Sequence, residues 1–190
     1  MRQPSKVLAC VDQSDYASHV TDYAAWAACR LKAPLELLHV IDRHPEVAAD
    51  IDRSGALGVD AQESLLERLS QEEGERSKVI REQGRVFLNA LKARCDDQDE
   101  LRTDTRQRYG QLLSTLKEQE SSVALYVLGR RGQSASHTKR DLGRHVEAIC
   151  RQIRRPIMTV TDDFKAPKSI LVAYDGGRMT RRGIELLASN

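Results

Sequence analysis

The stretch VLGRRGQSASHTKRDLGRH, Val127–His145, decides how the chain is read. It leaves an apolar run, Val123–Leu128, turns at Gly129 and Gly132, becomes basic through Arg130, Arg131, Lys139 and Arg140, and reaches Gly143 and Arg144. Leu142, Val146, Ile149 and Ile153 then recur at three- and four-residue spacing and mark a helix of about four turns. Pro156–Val160 follows as a strand. A strand that feeds a glycine turn and then a helix start is a place where backbone N–H groups converge on an anion. Glycine has no Cβ to hold a ligand off and tolerates positive φ, and a helix start offers unpaired donors at the positive end of its dipole. The same pattern also describes an ordinary strand-to-helix turn with arginines on its surface, and the residues alone leave both readings open.

Upstream, Val7–Val11 is a short apolar run ending at Asp12, which suits a strand buried on both faces. Ala17, Val20, Ala24, Ala27, Ala28 and Leu31 give an amphipathic helix with an alanine-rich face, capped by Ser14 or Asp15 and ended by Pro34. LELLHVI, Leu35–Ile41, is a second buried strand, so the first 41 residues form a βαβ unit. Asp42–Gly58 reads as loop and Val59–Arg94 as helix, with Gly74 and Gly84 as the places where it would break or bend. DELRTDTRQ, Asp99–Gln107, holds a short polar strand at an edge, and Tyr109–Lys117 is helical by Leu112, Leu113 and Leu116. Alternating strands and helices in this order predict an α/β fold: an open, doubly wound, five-stranded parallel sheet with helices on both faces, Rossmann-like.

The chain of 190 residues is 40% apolar, enough for one sizeable core. Thirty basic and 28 acidic residues give a net charge of +2, so the positive field around Gly129–Arg144 is local, and no global field marks a nucleic-acid binder. Only 4% of residues are aromatic, and Trp26 reads as helix packing rather than a stacking platform. Arg151, Arg154 and Arg155 complement a helix end, and His137 and His145 read as surface residues. Cys10, Cys29, Cys95 and Cys150 are scattered without C-x-x-C spacing, which fits reduced thiols; Cys10, Cys29 and Cys150 fall on apolar or helical patterns and read as core. No signal segment or bilayer-length apolar run is seen, and a soluble cytoplasmic protein without membrane partners is expected.

The tail repeats the beginning. Aligning Asp12 with Asp175 places VLACVD, Val7–Asp12, over ILVAYD, Ile170–Asp175, and a polar turn and helix-like segment follow each aspartate. Residues 1–163 are therefore read as one domain, and 164–190 as the first strand and partial helix of a second, truncated copy.

These residues resemble the universal stress protein family over Lys6–Thr161, with Ser169 onward similar to the start of a second copy. The resemblance rests on the strand ending in Asp12, on LLHVID, and above all on VLGRRG followed by LGRHVEAICRQIRRPIMTV. Nucleotide-binding members carry G-x-x-G, nine or ten residues, then G-[ST] leading into a helix, and Gly129, Gly132 and Gly143 stand at those glycines. The resemblance implies ATP held across the carboxyl ends of the strands, with magnesium as an optional companion ion. Asp12 would lie near the ribose or triphosphate, Val40 would meet adenine through its backbone, and Gly129, Arg130, Gly132, Gly143 and Arg144 would surround the phosphates. It further implies homodimers or tandem pseudo-dimers. Arg144 departs from the pattern, because it replaces the Ser or Thr after the third glycine. Either its guanidinium takes over as a phosphate clamp, or its bulk fills the cradle and pairs with an internal acid such as Asp12.

Three functions of different classes follow: a regulatory adenine-nucleotide-binding stress protein without substantial turnover, a dimeric interaction scaffold that has lost the nucleotide and works through a protein partner, and a slow enzyme. The first is preferred. The last lacks a nucleophile paired with a base, since neither G-x-S-x-G nor G-x-x-x-x-G-K-[ST] occurs.

Overall fold

The structure, a computed structural model, describes residues 5–41, 59–95, 101–130 and 144–188. Five strands, β1 (Lys6–Cys10), β2 (Leu35–Ile41), β3 (Thr103–Tyr109), β4 (Val123–Gly129) and β5 (Ile157–Val160), form one sheet in the order β3-β2-β1-β4-β5. Every neighbouring pair is parallel. Helices α1 (Ala17–Leu31), α2 (Val59–Ala93), α3 (Leu112–Gln119) and α4 (Arg144–Gln152) connect them, and α5 (Arg178–Ala188) follows in the tail.

The apolar runs become central strands because both of their faces are covered. Val7, Leu8 and Ala9 of β1 are fully buried. Val7, Ala9 and Val11 pack with Leu35, Leu37 and Val127 against α1 and the end of α2. Leu8 packs with Leu38, Tyr126 and Leu128 against Leu116 of α3 and Ile149 of α4. Two helices lie on each face because the sheet grows from β1 first toward β3 and then, in the opposite direction, toward β5. A right-handed crossover puts its helix on one face in the first case and on the other in the second. The polar sequence of β3 is explained by its edge position: only Thr103 among its residues is buried, and it pairs with β2 alone.

Three local expectations are corrected. Neither Ser14 nor Asp15 caps α1: the helix starts later, its N-cap is Tyr16 with no side-chain bond, and the Ser14 hydroxyl donates to Asp12. The helix stops at Leu31, where Lys32 turns left-handed with φ 48° and its N–H bonds back to the Cys29 carbonyl, ahead of Pro34. Gly74 and Gly84 do not break α2, which is continuous over 35 residues. Gly84 is instead a point of contact, since a Cβ there would stand 2.4 Å from Nε2 of Gln107 on β3.

Two further readings change. Cys29 and Cys150 are exposed, whereas Cys95 is buried and Cys10 half-buried in the sheet. Ile170–Tyr174 forms no ladder: residues 161–177 carry no regular structure, and Leu171 is 99% exposed. A strand without a paired neighbour has no stability of its own. The segment leading into the tail is pinned on α1, where the Tyr23 and Phe164 rings meet edge to face at 4.9 Å and His19 Nδ1 lies 3.3 Å from Asp163.

Candidate functional site

The order of the strands reverses direction between β1 and β4. The chain therefore leaves their carboxyl ends toward opposite faces, and in open α/β sheets generally this switch point is where ligands bind. Cys10 pairs with Leu128 and with Leu38 in register, so Asp12, Val40, Gly129 and Arg130 all fall at the same end of the sheet. Those four predicted site residues are brought together. Gly132 and Gly143 lie outside the described residues; Arg144 is the first residue of α4, and its side chain also lies outside them. Because a crossover helix runs antiparallel to its strand, the amino terminus of α4 stands at this end too.

Asp12 is held by its own turn. Its Oδ1 accepts the Ser14 hydroxyl at 2.5 Å and the Ser14 backbone N–H at 3.3 Å. Such an Asx turn takes the chain off the strand and fixes the carboxylate at the crevice. An ionised carboxylate there accepts hydrogen bonds only, which suits hydroxyl donors.

Val40 is placed by the sheet's alternation. The Val11 N–H donates to the Leu38 carbonyl at 2.9 Å, so Leu38 turns its polar backbone atoms toward β1. Leu35 N–H bonds the Arg102 carbonyl at 2.9 Å and Gly110 N–H bonds the Ile41 carbonyl at 3.0 Å, so odd positions of β2 turn toward β3. Val40 therefore directs its N–H and C=O to the β1 side, beyond Cys10 where β1 ends. A flat heterocycle with a donor and an acceptor on one edge is the natural partner of such a pair.

Gly129 closes β4 opposite Val160, and the Arg130 N–H bonds the Val160 carbonyl at 2.7 Å, which leaves the exposed Arg130 side chain at the mouth. His39 was not foreseen as part of this region. It is 8% exposed, its Nδ1 lies 2.9 Å from the Val11 carbonyl, and its ring meets Phe87 of α2 edge-on at 5.4 Å. A histidine inside LELLHVI was the available signal, because a buried imidazole needs a polar partner. Cys10, the thiol nearest the site, is pushed far above the ordinary thiol range by burial and secondarily by the Glu36 carboxylate, so it stays protonated.

The chain is an open doubly wound α/β domain with Asp12, Val40, Gly129 and Arg130 at the switch-point end of its sheet. The model of the universal stress protein family matches residues 4–161, and the chain belongs to that family. Universal stress protein Slr1230 of Synechocystis sp. is 28% identical over 185 residues, which cover 97% of this chain and 64% of the relative. The chain thus spans 64% of the length of that curated protein. Among solved structures, the hypothetical protein MJ0577 is similar with a TM-score of 0.60 and 18% identity, over 86% of this chain and 99% of that one. A universal stress protein from Archaeoglobus fulgidus, solved in complex with dAMP, is similar with a TM-score of 0.51 and 12% identity, over 83% and 98%. At these identities the structures share the fold.

Proposed function

We propose that this universal stress protein binds ATP or a related adenine nucleotide at the β1/β4 crevice and acts as a regulatory stress-response protein without substantial turnover. The observation that carries this reading is the backbone edge of Val40, aimed past the end of β1 beside the anchored Asp12 carboxylate. The described residues fit the adenine and ribose half of a nucleotide: Val40 offers one N–H and one C=O to a purine edge, and Asp12 accepts from sugar hydroxyls. The complex of the Archaeoglobus relative with dAMP supports the same ligand class. Gly129, Gly132, Gly143 and Arg130 would line the phosphates, with Arg144 clamping them from the start of α4. Magnesium would arrive on the triphosphate, whose oxygens it bridges in nucleotide sites generally.

Regulation rather than catalysis is favoured by the state of the nearby reactive groups. Cys10 is protonated, His39 is turned onto the Val11 carbonyl, and the Ser14 hydroxyl donates to Asp12. Homodimers, tandem pseudo-dimers and an unidentified protein partner in the cytoplasm complete the proposal. Among the described residues no helix is long and apolar enough to cross a membrane.

For the tail, we propose that 164–190 begins a second copy of the domain, following a first that spans 1–163. Asp175 supports this. Its Oδ1 accepts the Gly177 N–H at 2.7 Å and the Thr180 hydroxyl at 2.6 Å, the same i to i+2 turn that Asp12 makes with Ser14.

The second reading, a scaffold without nucleotide, rests on Arg144 standing where a hydroxyl is expected. Thermal melts with ATP and magnesium separate the two. Ligand at a hundred times its Kd adds about 2.7 kcal/mol, roughly 5–10 °C for a domain of this size. A shift in the native protein supports binding; a shift only in Arg144→Ser supports the scaffold, with arginine as the plug.

A further inference from the structure

We propose that His39 is a positioning residue for the nucleotide site: through its bond to the Val11 carbonyl it sets the peptide plane that leads into Asp12. This inference rests on the nucleotide reading above.

A carbonyl accepts, so the imidazole Nδ1 carries the proton and donates across 2.9 Å to Val11. That carbonyl and the Asp12 N–H belong to one planar, trans peptide unit. Fixing the oxygen toward β2 therefore fixes the Asp12 N–H in the opposite direction, toward the β4 side of the crevice. The turn that anchors the Asp12 carboxylate through Ser14 starts from this same plane. In a regular parallel ladder the Val11 carbonyl would accept from the β2 backbone at Val40. The His39 side chain takes a lone pair of that carbonyl just beyond the end of β1, beside the Val40 backbone edge. Phe87 of α2 backs the imidazole and limits its rotation. One buried histidine thus acts on both proposed contacts, Asp12 and Val40, while touching no ligand itself.

The test uses the full chain with His39→Asn, whose amide can place a donor near the Nδ1 position, and His39→Leu, which has none. His39→Gln, polar but with its donor carried further out, replaces His39→Leu if the latter does not fold. Two quantities are read: amide hydrogen exchange at Ser14 in the nucleotide-free protein, and ATP affinity by calorimetry at a temperature where circular dichroism shows every variant folded. The expected result is that His39→Leu speeds Ser14 exchange and weakens ATP binding, each by about tenfold, the scale of one lost hydrogen bond, while His39→Asn stays near wild type on both. The inference is overturned if His39→Leu moves only one of the two quantities or neither, or if His39→Asn falls as far as His39→Leu, which would make the ring a packing element. If the wild-type protein does not bind ATP, the nucleotide reading fails by itself, and Ser14 exchange still decides whether His39 holds the turn.

Discussion

Replacing Gly84 with alanine would set two opposed effects against each other at a contact that also bears on the site. Gly84 lies in the interior of α2, where alanine is favoured by about 1 kcal/mol on helix propensity. Its missing Cβ, however, would stand 2.4 Å from Nε2 and 2.9 Å from Cδ of Gln107. The Gln107 amide would have to swing away or α2 lift off β3, and overpacking of this kind costs about 1–3 kcal/mol. Gly84→Ala should therefore be neutral to destabilising by about 2 kcal/mol in the native background. In Gln107→Ala, where the clashing atoms are gone, the same change should stabilise by up to about 1 kcal/mol. Gln107 Nε2 is buried without a partner among the described residues, so removing it leaves no acceptor stranded. Urea denaturation of the four proteins closes a double-mutant cycle with an expected coupling of about 1–3 kcal/mol. Equal stabilisation in both backgrounds would refute the reasoning that the Gln107 amide opposes a Cβ at position 84. The outcome matters for the crevice because Phe87, one helical turn along α2, backs His39.

Other outcomes follow from charge and burial. The Cys10 thiol and the Tyr126 hydroxyl both have folded pKa values raised, first by burial. Their stabilising contribution is thus complete below their unfolded values, near 9.0 and 10.0, and declines as pH rises above them, by up to about 1.4 kcal/mol per pH unit for each group. Stability in urea should fall from about pH 9 upward, and Cys10→Ser should flatten the onset; an unchanged slope in that variant would show the thiol is not the source. Glu36, 5% exposed, holds Lys6 at 2.8 Å and Arg106 at 3.3 Å. Glu36→Gln should cost about 2–3 kcal/mol, below or at the low end for a broken buried pair because Arg106 is half in solvent; a loss under about 0.5 kcal/mol in urea melts would show the pair to be solvent-screened.

The strands and the open parallel sheet were legible because both faces of the sheet are covered, which turns β1, β2 and β4 into unbroken apolar runs. Gly129 and Asp12 were legible as strand ends, because each closes such an apolar run. Features decided by pairs of residues distant in the chain were not legible. The role of Gly84 depends on Gln107, 23 positions away, and that of His39 on a carbonyl on another strand. The caps expected at Ser14 and Asp15 failed because propensity cannot fix at which residue the helix starts: α1 begins after Tyr16, one residue beyond Asp15. Cys29 and Cys150 read as core since each adjoins apolar helix positions, yet a shift of one position on a helix rotates a side chain by about 100° and out of the core. Ile170–Tyr174 has the composition of a strand, but a strand is completed by its neighbour, and composition carries no neighbour.

The most direct test of the nucleotide site is a ¹⁵N heteronuclear NMR titration of the full chain with ATP and magnesium, followed residue by residue. Saturable shifts of the Asp12, Val40 and Arg130 amides, with the Lys117 and Arg155 amides at the opposite end of the sheet unmoved, are the expected result. Amides at the crevice that stay fixed at millimolar ATP, or shifts confined to the far end, would contradict a nucleotide site at the β1/β4 switch point.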